Sequence, residues 1–150
     1  MQHEAWMALA LAEAKKAFVL DEVPIGAVIV NDTTNRTVAR AANRTIADND
    51  PTAHAEMLAI REAARRLGNY RLLNTSLYVT VEPCFMCMGA ILHARISRVV
   101  FGVHDPKWGA AGSVYDFPGD TRLNHHPEII SEIRGAECVR LMRDFFHRKR

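Results

Sequence analysis

The sequence predicts an α/β protein: a layered sheet covered by helices on both faces, with strands of mixed direction. Three observations carry this. Helical and strand patterns alternate along the chain, which requires a sheet flanked on both sides. The first two strands are joined by a short turn segment and must run antiparallel, so the sheet is mixed. The 150 residues, 49% of them apolar, suffice for one domain spanning 1–150 with a full core, and no repeat, linker or low-complexity tract divides it.

Each element has its own warrant. Ala5 to Leu20 lacks Gly and Pro, and Met7, Leu11, Ala14 and Phe18 recur at helical spacing, so a helix is expected. Val23 to Val30 is short, apolar and β-branched and reads as a buried strand, with Pro24 at its start because proline cannot donate to a ladder. Asn31 to Asn35 is turn chemistry, and Arg36 to Ala42 is the return arm. Asp50-Pro51 suits a helix start, with Asp50 as N-cap and Pro51 in the first position. The second helix follows from Ala53 to Leu67 on a Met57, Ile60, Ala64, Leu67 stripe and stops at Gly68-Asn69. Ser76 to Val81 is a strand, Pro83 to Ala94 a helix, Ser97 to Gly102 a strand. Val103 to His126 is a long Gly- and Pro-punctuated loop of the kind that usually serves function. A last helix covers Ser131 to Arg148.

Composition limits the function classes. The N-terminal segment is interrupted by Glu4, Glu13, Lys15 and Lys16, so it is not a signal peptide, and no stretch approaches the roughly 20 apolar residues of a membrane span. Three cysteines in such a chain do not make a disulfide framework. A reducing, cytoplasmic setting is expected. The formal charge of +2 argues for no polyanion by itself. The last residues, however, gather Arg140, Arg143, Arg148, Lys149 and Arg150 against Asp144 alone, which is either a phosphate footprint or a solvated tail.

The chemistry is carried by Thr52-Ala53-His54-Ala55-Glu56 and, further on, Glu82-Pro83-Cys84-Phe85-Met86-Cys87. Cys84 and Cys87 are three apart and share a helix face, and at a helix N-terminus the partial positive charge favours thiolates. His54 sits at the start of the second helix. Two helix N-termini thus converge on one Zn²⁺ per subunit, with three protein ligands and a fourth tetrahedral position open, as in catalytic sites. Glu56 is placed to move protons to and from a zinc-activated water. A structural or redox role for the cysteine pair is the alternative; a structural site needs a fourth ligand, and Cys138 lies at helical spacing with Met142 and Phe145, as a core residue would.

H-x-E followed by P-C-x-x-C is the known signature of the zinc-dependent nucleobase deaminases. With Val23–Val28, Asn43-Arg44, Asp50–Glu56, Asn69–Leu72, Gly109–Ser113, Leu123–His125 and Asp144–Phe146 beside it, the chain resembles the bacterial tRNA-specific adenosine deaminases of the cytidine deaminase-like superfamily along its whole length. The resemblance implies a three-layer α/β/α cytidine deaminase-like fold, a homodimer, and conversion of adenosine to inosine at the wobble position of a tRNA anticodon stem-loop. It implies that Asn43 hydrogen-bonds the target nucleotide and that Ile25, Ala55 and Pro83 belong to the base site. The alternative for Asn43 is that it simply holds the loop before the second helix. Asp105 is assigned to the ribose of a flanking nucleotide, the alternative being a loop cap before Pro106. Lys107, Arg148, Lys149 and Arg150 are assigned to phosphates. Of the adjacent Phe145 and Phe146, one packs inside and Phe146 is assigned to the groove. Val103-His104 before Asp105 and the length of the Asn31–Asn35 hairpin depart from the family's pattern. A variant that edits single-stranded DNA is a further alternative. The competing readings are a deaminase of free guanine, cytosine or nucleosides, and a non-catalytic RNA-binding subunit.

Overall fold

The computed structural model describes residues 2–149. β1 (Gly26–Asn31) and β2 (Arg36–Ala42) form the hairpin, with a bulge that leaves Val38 unpaired. The turn between them is closed by Asn31, whose Oδ1 accepts from the backbone of Thr33 and Thr34. β1 also pairs antiparallel with β3 (Thr75–Val81). β3, β4 (Arg98–Val103) and β5 (Glu128–Ile130) run parallel. The sheet order is β2-β1-β3-β4-β5, so the change of direction falls in mid-sheet, between β1 and β3.

Strand alternation sorts the apolar side chains into two layers. Ala27, Ile29, Leu77, Val79, Val99 and Phe101 pack against α2 (Ala55–Leu67) and α3 (Phe85–Ala94). Val28, Val30, Tyr78 and Val100 pack on the other side, against α1 (Gln2–Val19) and α4 (Gly135–Arg148), where they meet Met7, Leu11 and Cys138. This is the three-layer α/β/α arrangement. Each fully buried Ile, Leu or Phe contributes about 1.5–3 kcal/mol. α1 lies close on β1: a methyl at Gly26 would overlap the carbonyl of Ala10. Cys138 is 1% exposed and its thiol is pushed up to about 12 by burial, so it is a core residue. Among the described residues no helix is long and apolar enough to cross a membrane.

Three helix or strand starts and one short strand stand out from expectation, each for a local reason. β1 begins at Gly26 because the N–H of Ile25 turns back to the Val23 carbonyl, 2.8 Å away. α2 begins at Ala55, with His54 as N-cap, and not at Asp50-Pro51. Asp50 instead accepts from the backbone and hydroxyl of Thr52, at 2.8 and 2.7 Å, and closes a separate turn. β5 was not anticipated; at three residues on the sheet edge it is too short to show a period. α4 starts at Gly135, after Glu132 and Arg134 adopt φ of 65° and 55° that interrupt a helix from Ser131.

Candidate active site

α2 and α3 lie side by side on one face of the sheet and direct their N-termini to one place. His54 is the N-cap of α2 and Cys84 the N-cap of α3, both in extended backbone conformation; Cys87 sits one turn into α3. His54 Nδ1 is 3.7 Å from Cys84 Sγ and 3.5 Å from Cys87 Sγ. All three donor atoms lie within 4.8 Å of one another. Zn–S bonds of about 2.3 Å and a Zn–N bond of about 2.0 Å at tetrahedral angles place N and S about 3.5 Å apart, so the cradle fits Zn²⁺.

The electrostatics agree. Cys84 is pulled down to about 4 by the hydrogen bond from Cys87, helped by His54 and opposed by burial. Cys87 is pushed up by sharing its proton with Cys84 and by its own burial. His54 is raised by its hydrogen bond with Cys84. Both sulfurs and the imidazole nitrogen are thus turned to one point, where a cation can take the place of a proton. Glu56, in the first turn of α2, is 4% exposed; burial pushes its carboxyl up to about 7.

These groups face a cavity of about 580 Å³ whose walls include Ile25, Asn43, His54, Glu56, Asp105 and Phe146. Asn43 is 6% exposed, and its Oδ1 accepts from the Ala55 N–H at 3.1 Å. It therefore caps α2 from outside, where His54 makes no side-chain cap, and its amide N–H₂ is left for the cavity. Ala55 has its side chain in the core beneath. Pro83 is buried, and its carbonyl accepts from Ala110 at 2.8 Å; it stands behind the cavity wall.

Two long loops flank the cavity, and each is folded around a buried carboxylate. Glu22, 2% exposed, accepts from the backbone of Ile46 and Ala47 at 3.2 and 2.7 Å. Glu82, 3% exposed, accepts from the backbone of Asp105, Ala111 and Ser113 at 3.0, 2.9 and 3.1 Å and from the Ser113 hydroxyl. Burial raises the Glu82 carboxyl, but these donors outweigh it and hold the group below its usual range. Asp105 accepts from the backbone of Lys107 and Trp108 through Oδ1. It caps its own turn while lining the cavity.

A second cavity of about 470 Å³ adjoins the first, sharing Asp105, Trp108, Met142 and Phe146, and adding Lys107 and Arg143. Phe145 is the buried member of its pair, edge-on to Phe18, and Phe146 is 46% exposed. Arg148 and Lys149 both engage Asp21, and Arg148 stacks over Phe18 at 4.2 Å. Arg150 lies outside the described residues. Reasoning from sequence missed Trp108, Met142 and Glu82. Only Glu82 left a signal: an acid directly after a strand buried at every position.

The cytidine and deoxycytidylate deaminase zinc-binding region matches residues 1–103. A tRNA-specific adenosine deaminase of Haemophilus influenzae is 48% identical over 147 residues, 98% of this chain and 84% of the relative. A solved structure from studies of A-to-I editing by tRNA:A34 deaminases at the wobble position of transfer RNA superposes with a TM-score of 0.87 at 47% identity, covering 91% of this chain and 98% of the other. A guanine deaminase from Bacillus subtilis superposes with a TM-score of 0.66 at 39% identity, over 77% and 72% of the two chains. The ligand trio, the buried acid beside it and these likenesses agree: the chain belongs to the zinc-binding cytidine and deoxycytidylate deaminase family, alongside the tRNA-specific adenosine deaminases.

Proposed function

We infer that this protein is a zinc-dependent hydrolase that converts adenosine to inosine at the wobble position of a tRNA anticodon loop. The observation that carries the reading is Glu56, buried beside His54, Cys84 and Cys87 and facing the cavity, in a chain similar over nearly its whole length to tRNA-specific adenosine deaminases. Zinc bound by the trio supplies a Lewis acid that brings the pKa of water from about 16 towards about 7. Glu56 takes a proton from the attacking water and delivers it to the ring nitrogen beside the reacting carbon. It then carries the water's second proton to the departing amine, so water is consumed and ammonia leaves. A carboxyl held near neutrality by burial is suited to both transfers.

The target base must be flipped from its stack to reach these atoms. Asn43 offers its amide to that base, between Ile25 and Phe146. Asp105 has one carboxylate oxygen outside its own turn, available to a ribose 2′-hydroxyl, the group that marks RNA. Lys107 and Arg143, at the adjoining cavity, are better placed for phosphates than Arg148 and Lys149, which would first have to leave Asp21. The protein acts as a homodimer in the cytoplasm; exposed Phe85, Val114 and Tyr115 supply apolar surface for a second copy.

Deamination of free guanine is the second reading, favoured by the 39% identity to a guanine deaminase. Inosine formation on an anticodon stem-loop, in RNA and DNA versions, is measured beside free guanine, cytosine and adenosine. Turnover of the RNA stem-loop alone supports the first reading; turnover of guanine alone supports the second.

A further inference from the structure

We propose that Glu82 is a positioning residue that sets the substrate-facing loop in register with the zinc ligands. The inference rests on an RNA loop being the substrate. Glu82 stands between the end of β3 and the ligand segment Pro83-Cys84, with its side chain fully enclosed. Both carboxylate oxygens are spent on one loop: Oε1 on the Asp105 N–H and the Ser113 hydroxyl, Oε2 on the N–H groups of Ala111 and Ser113. His104 Nδ1 lies 3.4 Å from Oε1. The loop wraps directly on the carboxylate, since a methyl at Gly109 would overlap it.

The loop's backbone is also bridged to the zinc-ligand segment, Gly109 against Cys84, with Ala110 donating to Pro83. The residues this fixes are those at the cavity. Asp105 is held through its N–H by Glu82 and in turn orders Lys107 and Trp108 through Oδ1. One buried anion therefore links the metal cradle to Asp105 and Trp108 without touching substrate. A glutamine would keep one acceptor oxygen and turn an N–H₂ group toward N–H donors, so the loop loses its register while the ligands stay.

The test is a double-mutant cycle on E82Q and D105N. The readouts are zinc content, and KM and kcat for an RNA anticodon stem-loop. E82Q should retain zinc and raise KM about tenfold, the scale of a lost charge-assisted hydrogen bond. D105N in the E82Q background should then add nothing, because Glu82 acts through Asp105. Additive effects, or zinc loss with KM unchanged, overturn the proposal. Should E82Q fail to fold, S113A removes one donor only; a rise in KM with zinc retained supports the role, and an unchanged KM overturns it. Hydrogen exchange is read without substrate. Loss of protection at the Asp105, Ala111 and Ser113 amides in E82Q or S113A supports the role of Glu82, and full protection in both overturns it. Absence of inosine from the unmutated protein would count against the functional reading alone, and the exchange result would still decide on Glu82.

Discussion

Asn43 and Glu56 each do something that a substitution can isolate. Asn43 uses its oxygen on the α2 N-terminus and leaves its N–H₂ at the cavity. Asn43→Asp keeps the cap and removes the donor. Its Tm should hold while kcat/KM on the stem-loop falls at least about tenfold; Asn43→Ala should lose about 1 kcal/mol of stability as well. An unchanged kcat/KM in Asn43→Asp would show that capping is its whole role. Glu56 does not contribute a ligand atom to the metal group. Glu56→Ala should therefore retain zinc by metal analysis and lose turnover by about 10²–10⁴-fold. Retained turnover would remove Glu56 from the mechanism.

At the scale of elements, close approach decides which residues are replaceable. α1 rests on β1 only because Gly26 has no side chain at the Ala10 carbonyl. Gly26→Ala should cost about 1–3 kcal/mol in chemical denaturation, the range for overpacking a core; an unchanged midpoint would mean that α1 yields freely. Elements with a long apolar period were legible in the sequence: α1, the hairpin, β3, β4 and the body of α2 fall where the spacing puts them. The ligand trio was legible as well, because His54, Cys84 and Cys87 are each next to a helix start. What sequence hid was tertiary. The α2 start depends on Asn43, twelve residues away, supplying the cap that Asp50 was expected to give. β5 exists only because β4 offers it an edge. Trp108 and Met142 meet at the cavity through a loop and a helix with no shared period.

For the whole molecule, zinc is a fastener as well as a reagent. Its three ligands tie the starts of α2 and α3 together, so a chelator should lower the Tm of the entire domain. With free zinc a hundredfold above its dissociation constant, the expected loss is about 2.7 kcal/mol, recovered with activity when zinc is restored. A Tm indifferent to chelation would mean that the sheet alone holds the two helices.

Two of the buried glutamates, Glu22 and Glu82, give the molecule a division of labour. Glu22 anchors one bank of the cavity and Glu82 the other, each from inside, by main-chain N–H groups. Backbone donors do not depend on the side chains at Ile46 and Trp108, whereas the Glu82 loop does need Gly109 and the Ser113 hydroxyl. Ile46 and Trp108, exposed beyond those anchors, can thus be exchanged like facings on a frame. A deaminase built this way can change the nucleic acid it grips while its reaction stays the same.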